Sequence, residues 1–198
     1  MDRDPHSSVQ QCSLDKPGLD MQNSHRTRQF RLWLGLTCLA ALALRLLVCH
    51  ELRDHPSVVS PAEITDMATY QSLAKQILAG EWPEQFYYQP FYYAVFLPCV
   101  YKLFGTGAWA VMGVQAILGT LSVWMSGILG ARLFGRRAGL FAAALLAISR
   151  MHVFYTPFAL IAVLSSFLLI LLTYLSVVAC QRRSLALWAS AGLVTALA

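Results

Sequence analysis

The chain has 198 residues, 57% hydrophobic and 13% charged, with a mean hydropathy of +0.54 and a formal net charge of +5. That charged fraction is about half that of an average soluble domain, which excludes an ordinary soluble globular protein and points to a membrane composition. The basic surplus does not mark a nucleic-acid partner, because the basic residues stand in small groups at the ends of apolar runs, where they act as orientation signals.

Residues 1–29 are polar and contain no apolar core of a signal peptide, so they read as a solvated tail on the cytosolic side. Residues 30–49 form the first apolar stretch, read as membrane span 1. Arg45 sits in it about one turn before the outer end. A side chain there can snorkel outward, pair with an acid outside the membrane, or hold a phosphate at the interface.

Residues 50–107 read as one large external loop with two juxtamembrane helices. The first covers about 66–79. Thr65 is a suitable N-cap, Asp66 falls in the first turn where the helix dipole favours negative charge, and Gly80 is a stop signal. Met67, Tyr70, Ala74, Ile77 and Leu78 make an apolar stripe at helical spacing. Tyr70 follows Asp66 by four residues and projects to the same side. Asp66 has two readings at this point, a residue that merely suits the helix dipole or a residue with chemistry to perform.

The second helix covers 89–104, QPFYYAVFLPCVYKLF. It is shorter than the roughly 20 residues needed to span, holds Pro90 and Pro98, and carries the aromatic residues that favour a membrane interface. If it spanned, Arg132, Arg136 and Arg137 would lie opposite the basic tail residues Arg26, Arg28 and Arg31. If it lies on the outer surface, the tail, RLFGRR (132–137) and QRRS (181–184) all face the cytosol, as the positive-inside rule expects.

Further spans are expected over 108–131, 138–155 and 158–179, and 184–198 begins a fifth at whose start the chain reads as truncated. Ser122, Ser126 and Gly130 give span 2 a small-residue face for helix packing. The expected class is therefore an all-α polytopic membrane bundle, an integral multi-pass protein of the lipid bilayer.

Every acidic residue lies at or before Glu84, so carboxylate chemistry has to come from the external loop, and a proton relay within the spans loses support. The five cysteines are scattered without a CxxC or Cys/His pattern, which argues against zinc. They read as apolar fillers, a Cys49–Cys99 pair being the alternative for those two. No phosphate loop, GxSxG or HExxH motif occurs, and His50, His55 and His152 are isolated.

The order of Arg45, DxxxY (Asp66 to Tyr70), AxxxLxGxW (Ala74 to Trp82), QPFYY (89–93), LFG (103–105) and ARLFGRRAGLFAAALLA (131–147) resembles the integral membrane glycosyltransferases of the GT-C class. The branch it is most similar to holds aminoarabinose transferases and protein O-mannosyltransferases, and the resemblance covers about residues 40–178. It implies an inverting transfer of a hexose or pentose from a polyprenyl-phosphate-linked donor to an acceptor glycan, lipid or protein outside the cytosol, with a bacterial plasma membrane as the expected location. It also implies that Asp66 is the catalytic base or the residue that positions the acceptor, and that Arg45, Tyr70, Tyr88 and Gln89 contact substrate. No cofactor is certain, a divalent cation is left open, and no metal ligand is assigned. Gln89 stands where many relatives carry a basic residue, and no acid occurs near Ala162, where many carry a second one. The alternative function is a catalytically inactive module of the same fold that binds lipid or a partner protein.

Overall fold

The computed structural model describes residues 17–198, with side chains from Arg26 onward. Residues 1–16 of the expected polar tail lie outside the described residues, and its remainder from Pro17 is helical. Among the described residues every regular element is a helix, and the protein is an all-α membrane bundle.

Helix α1 (Pro17–Leu52) is long, and its apolar part, Arg26–Leu52, is one of three helices long and apolar enough to cross a membrane. The others are α5 (Ala108–Phe134) and α8 (Ala162–Arg182). Leu32, Leu36, Leu39 and Leu47 on α1 point outward, as expected of a helix whose surrounding solvent is hydrocarbon. Helix α5 is central and packs against α1, α6 and α8, while α8 also packs on α9 (Leu185–Leu197).

The hairpin of α5 and α6 (Arg136–Ala147) depends on glycine. A Cβ on Gly139 would stand 2.6 Å from Ala131 N, and one on Gly130 would stand 3.0 Å from the Gly139 Cα. Gly130, from the small-residue face legible in the sequence, thus meets α6, and Ser122 from the same face is buried with its hydroxyl donating to Leu118 O at 3.0 Å.

The apolar stretch 138–155 is not one helix. α6 ends at Ala147, and α7 (Arg150–Phe154) follows after a break at Ile148 and Ser149. Beyond the break His152 turns inward and meets Arg45 at 3.0 Å.

Two short elements and two longer ones stand at the α1 C-terminal end. Helix α2 (Pro56–Val59) is a single turn, and α3 (Asp66–Leu78) is capped at both ends. Thr65 Oγ1 accepts from Ala68 N at its start, while at its end Gly80 N and Glu81 N donate to Ile77 O and Gln76 O, with Gly80 at φ +87°. The chain then enters a π-helical turn, Tyr92–Phe96, continuous with α4 (Leu97–Phe104). Pro98 has no amide to donate into that turn, and a one-residue widening there suits its ring. Met67, Tyr70 and Ala74 of α3 bury their stripe against Tyr92, Tyr93 and Leu97.

Candidate active site

Asp66 opens α3, half-buried, with two phenolic hydroxyls within hydrogen-bond distance of a single carboxylate oxygen. Tyr88 OH donates to Oδ1 at 2.7 Å and Tyr87 OH lies 3.1 Å from the same atom. The two hydroxyls are 3.0 Å apart. Three contacts share two protons, so Tyr88, at the shortest distance, donates to the carboxylate and Tyr87 donates either to it or to Tyr88. Oδ2 takes no hydrogen bond from the described residues and is the oxygen left for a further partner.

The loop is fixed from beneath. Tyr93 OH donates to Tyr87 O at 3.1 Å and accepts from Tyr87 N at 2.9 Å, clamping both main-chain groups of that residue. Tyr70 lies under the pair, stacked on Tyr93 at 6.1 Å and edge-on to Tyr87, Tyr88 and Tyr92. Tyr92 is fully buried, and its hydroxyl accepts from Gln115 Nε2 at 3.0 Å, which ties the loop to α5. Hydrogen bonds with Tyr87 and then Asp66 push the Tyr88 phenol well above its ordinary range, so it remains a donor.

Beside Asp66 opens a cavity of about 630 Å³, a volume suited to a small-molecule ligand. Pro56, Pro61, Ile64 and Met67 form its apolar walls near α2 and α3, Phe158 and Leu160 close it from the turn before α8, and Asp66 is the ionisable group on its lining. A carboxylate with one oxygen anchored and the other unbonded, at the edge of an apolar cavity, is equipped to accept a proton from a bound hydroxyl or amine. Among the described residues no three His, Cys, Asp or Glu side chains stand close enough to hold a metal ion.

The sequence-predicted residues divide into two groups. Asp66, Tyr70 and Tyr88 come together. Gln89 is next to them in the chain, held at φ +61°, but its side chain takes no part in the hydrogen bonds around Asp66. Arg45 is elsewhere. It neither snorkels nor pairs with Asp66. It is fully buried, donates from Nη1 to Ala41 O at 2.9 Å and from Nη2 to His152 Nδ1 at 3.0 Å, and lies against Gly119, where a Cβ would stand 2.5 Å from Nε. His152, isolated in the sequence, is thus its partner. Cys49 and Cys99 are both free thiols, the first buried and the second exposed. Neither the Tyr87 nor the Tyr93 contact has a local signature, because their neighbours are also aromatic; the cue in the sequence is the density of tyrosine over 87–93. Gln115 had a cue of its own, a lone amide in an apolar span.

A family model described as dolichyl-phosphate-mannose-protein mannosyltransferase matches residues 88–198. The chain belongs to this family. It is thereby a membrane glycosyltransferase of the GT-C class. The match begins at Tyr88, so the family region contains the Tyr88 hydroxyl, the π turn and Gln115, while Asp66 and Tyr70 precede it. No curated protein and no solved structure matches the chain.

Proposed function

We propose that this glycosyltransferase takes a sugar from a polyprenyl-phosphate-linked donor and passes it to an acceptor outside the cytosol, with Asp66 as the catalytic base. The observation that carries the reading is the Asp66 carboxylate, held on Oδ1 by Tyr87 and Tyr88 and unbonded on Oδ2, at the edge of the 630 Å³ cavity. In the proposed step Oδ2 takes the proton of the acceptor hydroxyl or amine as that atom bonds to the anomeric carbon. The bond from that carbon to the phosphate oxygen breaks, and its electron pair leaves with the lipid phosphate. Tyr88, bonded to Asp66, and Gln89, next to it in the chain, are assigned to substrate, and Tyr70 to supporting the Tyr87–Tyr88 pair. Arg45, sealed inside the bundle, is assigned to holding α7 in place. The description of the matched family names a mannosyl donor on dolichyl phosphate and a protein acceptor, which are the first pair to assay.

The proposed topology has the N-terminus in the cytosol and residues 50–107 outside. Its support is that the turn carrying Phe158 and Leu160 lines the same cavity as Asp66, whereas Arg132 and Arg136 stand at the far end of α5. Cysteines introduced by Glu81→Cys and Glu84→Cys should react with an impermeant reagent from outside and one introduced by Arg136→Cys from inside. Labelling of all three from one side overturns the topology.

Asp66→Asn is expected to lower transfer of labelled sugar from a polyprenyl-phosphate donor by about 10² to 10⁴, the usual contribution of a positioned base, with membrane insertion unchanged. Transfer at the wild-type rate would remove Asp66 from the reaction. A second reading, an inactive lipid- or protein-binding module, is favoured by Gln89 and by the absence of an acid near Ala162. It predicts no transfer from any such donor by the wild-type chain.

A further inference from the structure

The end of the bundle remote from Asp66 carries two cavities that the transfer reaction does not use. Helix α1 runs 27 residues from Arg26 to Leu52, about 40 Å at 1.5 Å per residue, so this end lies a full helix length from the carboxylate. One cavity, of about 500 Å³, is lined by Arg26, Trp33, Arg136 and Arg137. The other, of about 720 Å³, shares Arg136, adds Arg31 and Arg132, and continues along an apolar wall of Leu34, Gly35 and Ile128.

Two of these guanidiniums are held in place by neutral groups. Arg132 Nε donates to Gln181 Oε1 at 2.8 Å, with the guanidinium 5.8 Å from the centre of the Tyr174 ring, and Arg136 Nη2 donates to Thr27 Oγ1 at 2.8 Å. Among the side chains the structure describes, from Arg26 onward, no carboxylate answers them: helices α5 to α9 contain none, and the ion pair that these side chains form, Arg53 with Asp54, is at the other end. Arginines grouped around a cavity between helices at a membrane interface, with no carboxylate bonded to them among the described side chains, are complementary to a phosphate, which a planar guanidinium binds through two parallel hydrogen bonds.

The apolar wall says what the phosphate is attached to. A Cβ on Gly35 would meet nothing within 4 Å, so this glycine leaves an open slot in the side of α1 directly below the arginines. Trp33 and Trp124, each half-exposed on a cavity lining, are of the type that sits at the headgroup level. We infer that this end of the protein binds an anionic phospholipid, its headgroup phosphate between Arg31, Arg132 and Arg136 and one acyl chain in the slot at Gly35. A free phosphate would use the arginines and leave the slot empty.

The test is native mass spectrometry of the full chain released from mixed micelles containing phosphatidylglycerol and phosphatidylcholine with identical acyl chains. Phosphatidylglycerol should be retained roughly tenfold over phosphatidylcholine, since each arginine near the surface favours an anionic lipid appreciably. The preference should vanish in Arg132→Gln/Arg136→Gln and persist in Arg53→Gln. A Cβ at Gly35 meets no neighbour within 4 Å, so Gly35→Phe can place its ring in the slot; it should also abolish retention, and it keeps the test decisive if the double variant fails to fold. Equal retention of the two lipids overturns the proposal, as does a preference that survives Gly35→Phe, or release of the lipid by millimolar inorganic phosphate.

Discussion

The proton arrangement around Asp66 makes separate demands on its two tyrosines. Tyr88 is half-exposed and holds Asp66 Oδ1 at 2.7 Å, whereas Tyr87 is anchored through its backbone by Tyr93 and contributes the longer contact. Tyr88→Phe should therefore reduce kcat by about tenfold, the scale of one hydrogen bond to a charged group, while leaving thermal stability within about 0.5 kcal/mol of wild type, as for most exposed positions. An unchanged kcat would mean that the hydroxyl does not position the carboxylate. Asp66 and Tyr70 were legible in the sequence because an i, i+4 pair at a helix start is a local pattern. Tyr88 is reached only through the family resemblance, as a substrate contact, and Tyr87 not at all; that both approach Asp66 is not legible, because they come from a loop more than twenty residues further on and only tertiary packing brings them back. Tyr70 itself carries a pH prediction. Burial, and after it the Asp66 charge, pushes its phenol from the ordinary 10.0 up to about 12. The folded protein holds this proton more tightly than the unfolded chain, so the stability linked to it is intact below about pH 10 and is lost as pH rises from 10 towards 12. Tyr70→Phe should flatten the decline of Tm across that window, and an identical decline would assign it to other groups.

The segment from Gln89 to Phe104 anchors the loop that carries Tyr87 and Tyr88 by departing twice from regular backbone. Gln89 stands at φ +61°, a region that costs an L residue with a side chain about 1 to 2 kcal/mol, and its carbonyl accepts from Tyr92 N at 3.0 Å to start the π turn. The widened turn then buries two successive tyrosines, Tyr92 towards Gln115 and Tyr93 towards the Tyr87 backbone. Gln89→Gly should raise the unfolding free energy by roughly 1 kcal/mol in a denaturation experiment, because glycine takes positive φ freely. A loss of stability would show that the Gln89 side chain contributes more than its backbone costs. The two prolines of this segment set it apart in the sequence from the spanning stretches, but neither the left-handed residue nor the inward turn of adjacent tyrosines has a local signature. Each is imposed by the packing of α3 and α5 beneath this segment.

At the scale of the molecule, the helical class, the three longest apolar helices and the small-residue face of α5 follow from composition and periodicity, which are summed over many residues. The division of 138–155 into α6 and α7 does not, and it is accompanied by a contact between His152 and Arg45, residues 107 apart in sequence, that no local pattern announces. Both arrangements depend on α5 as a common wall. It receives α6 through Gly139 and admits Arg45 through the space at Gly119. At Gly139 the obstruction is backbone, so Gly139→Ala forces the two helices apart and should cost about 1 to 3 kcal/mol, the scale of an overpacked core. At Gly119 the obstruction is the Arg45 side chain, 2.5 Å from the added Cβ, which a rotamer change can relieve only by giving up its hydrogen bonds to Ala41 and His152. Gly119→Ala should therefore loosen α7 and the turn after it, which carries the cavity residues Phe158 and Leu160, with little effect on the α5–α6 hairpin. Hydrogen exchange in nanodiscs separates the two variants. Faster exchange confined to about residues 149–161 is expected for Gly119→Ala, and faster exchange through α6 for Gly139→Ala. The same pattern in both would mean that the Arg45 to His152 contact does not hold the cavity wall.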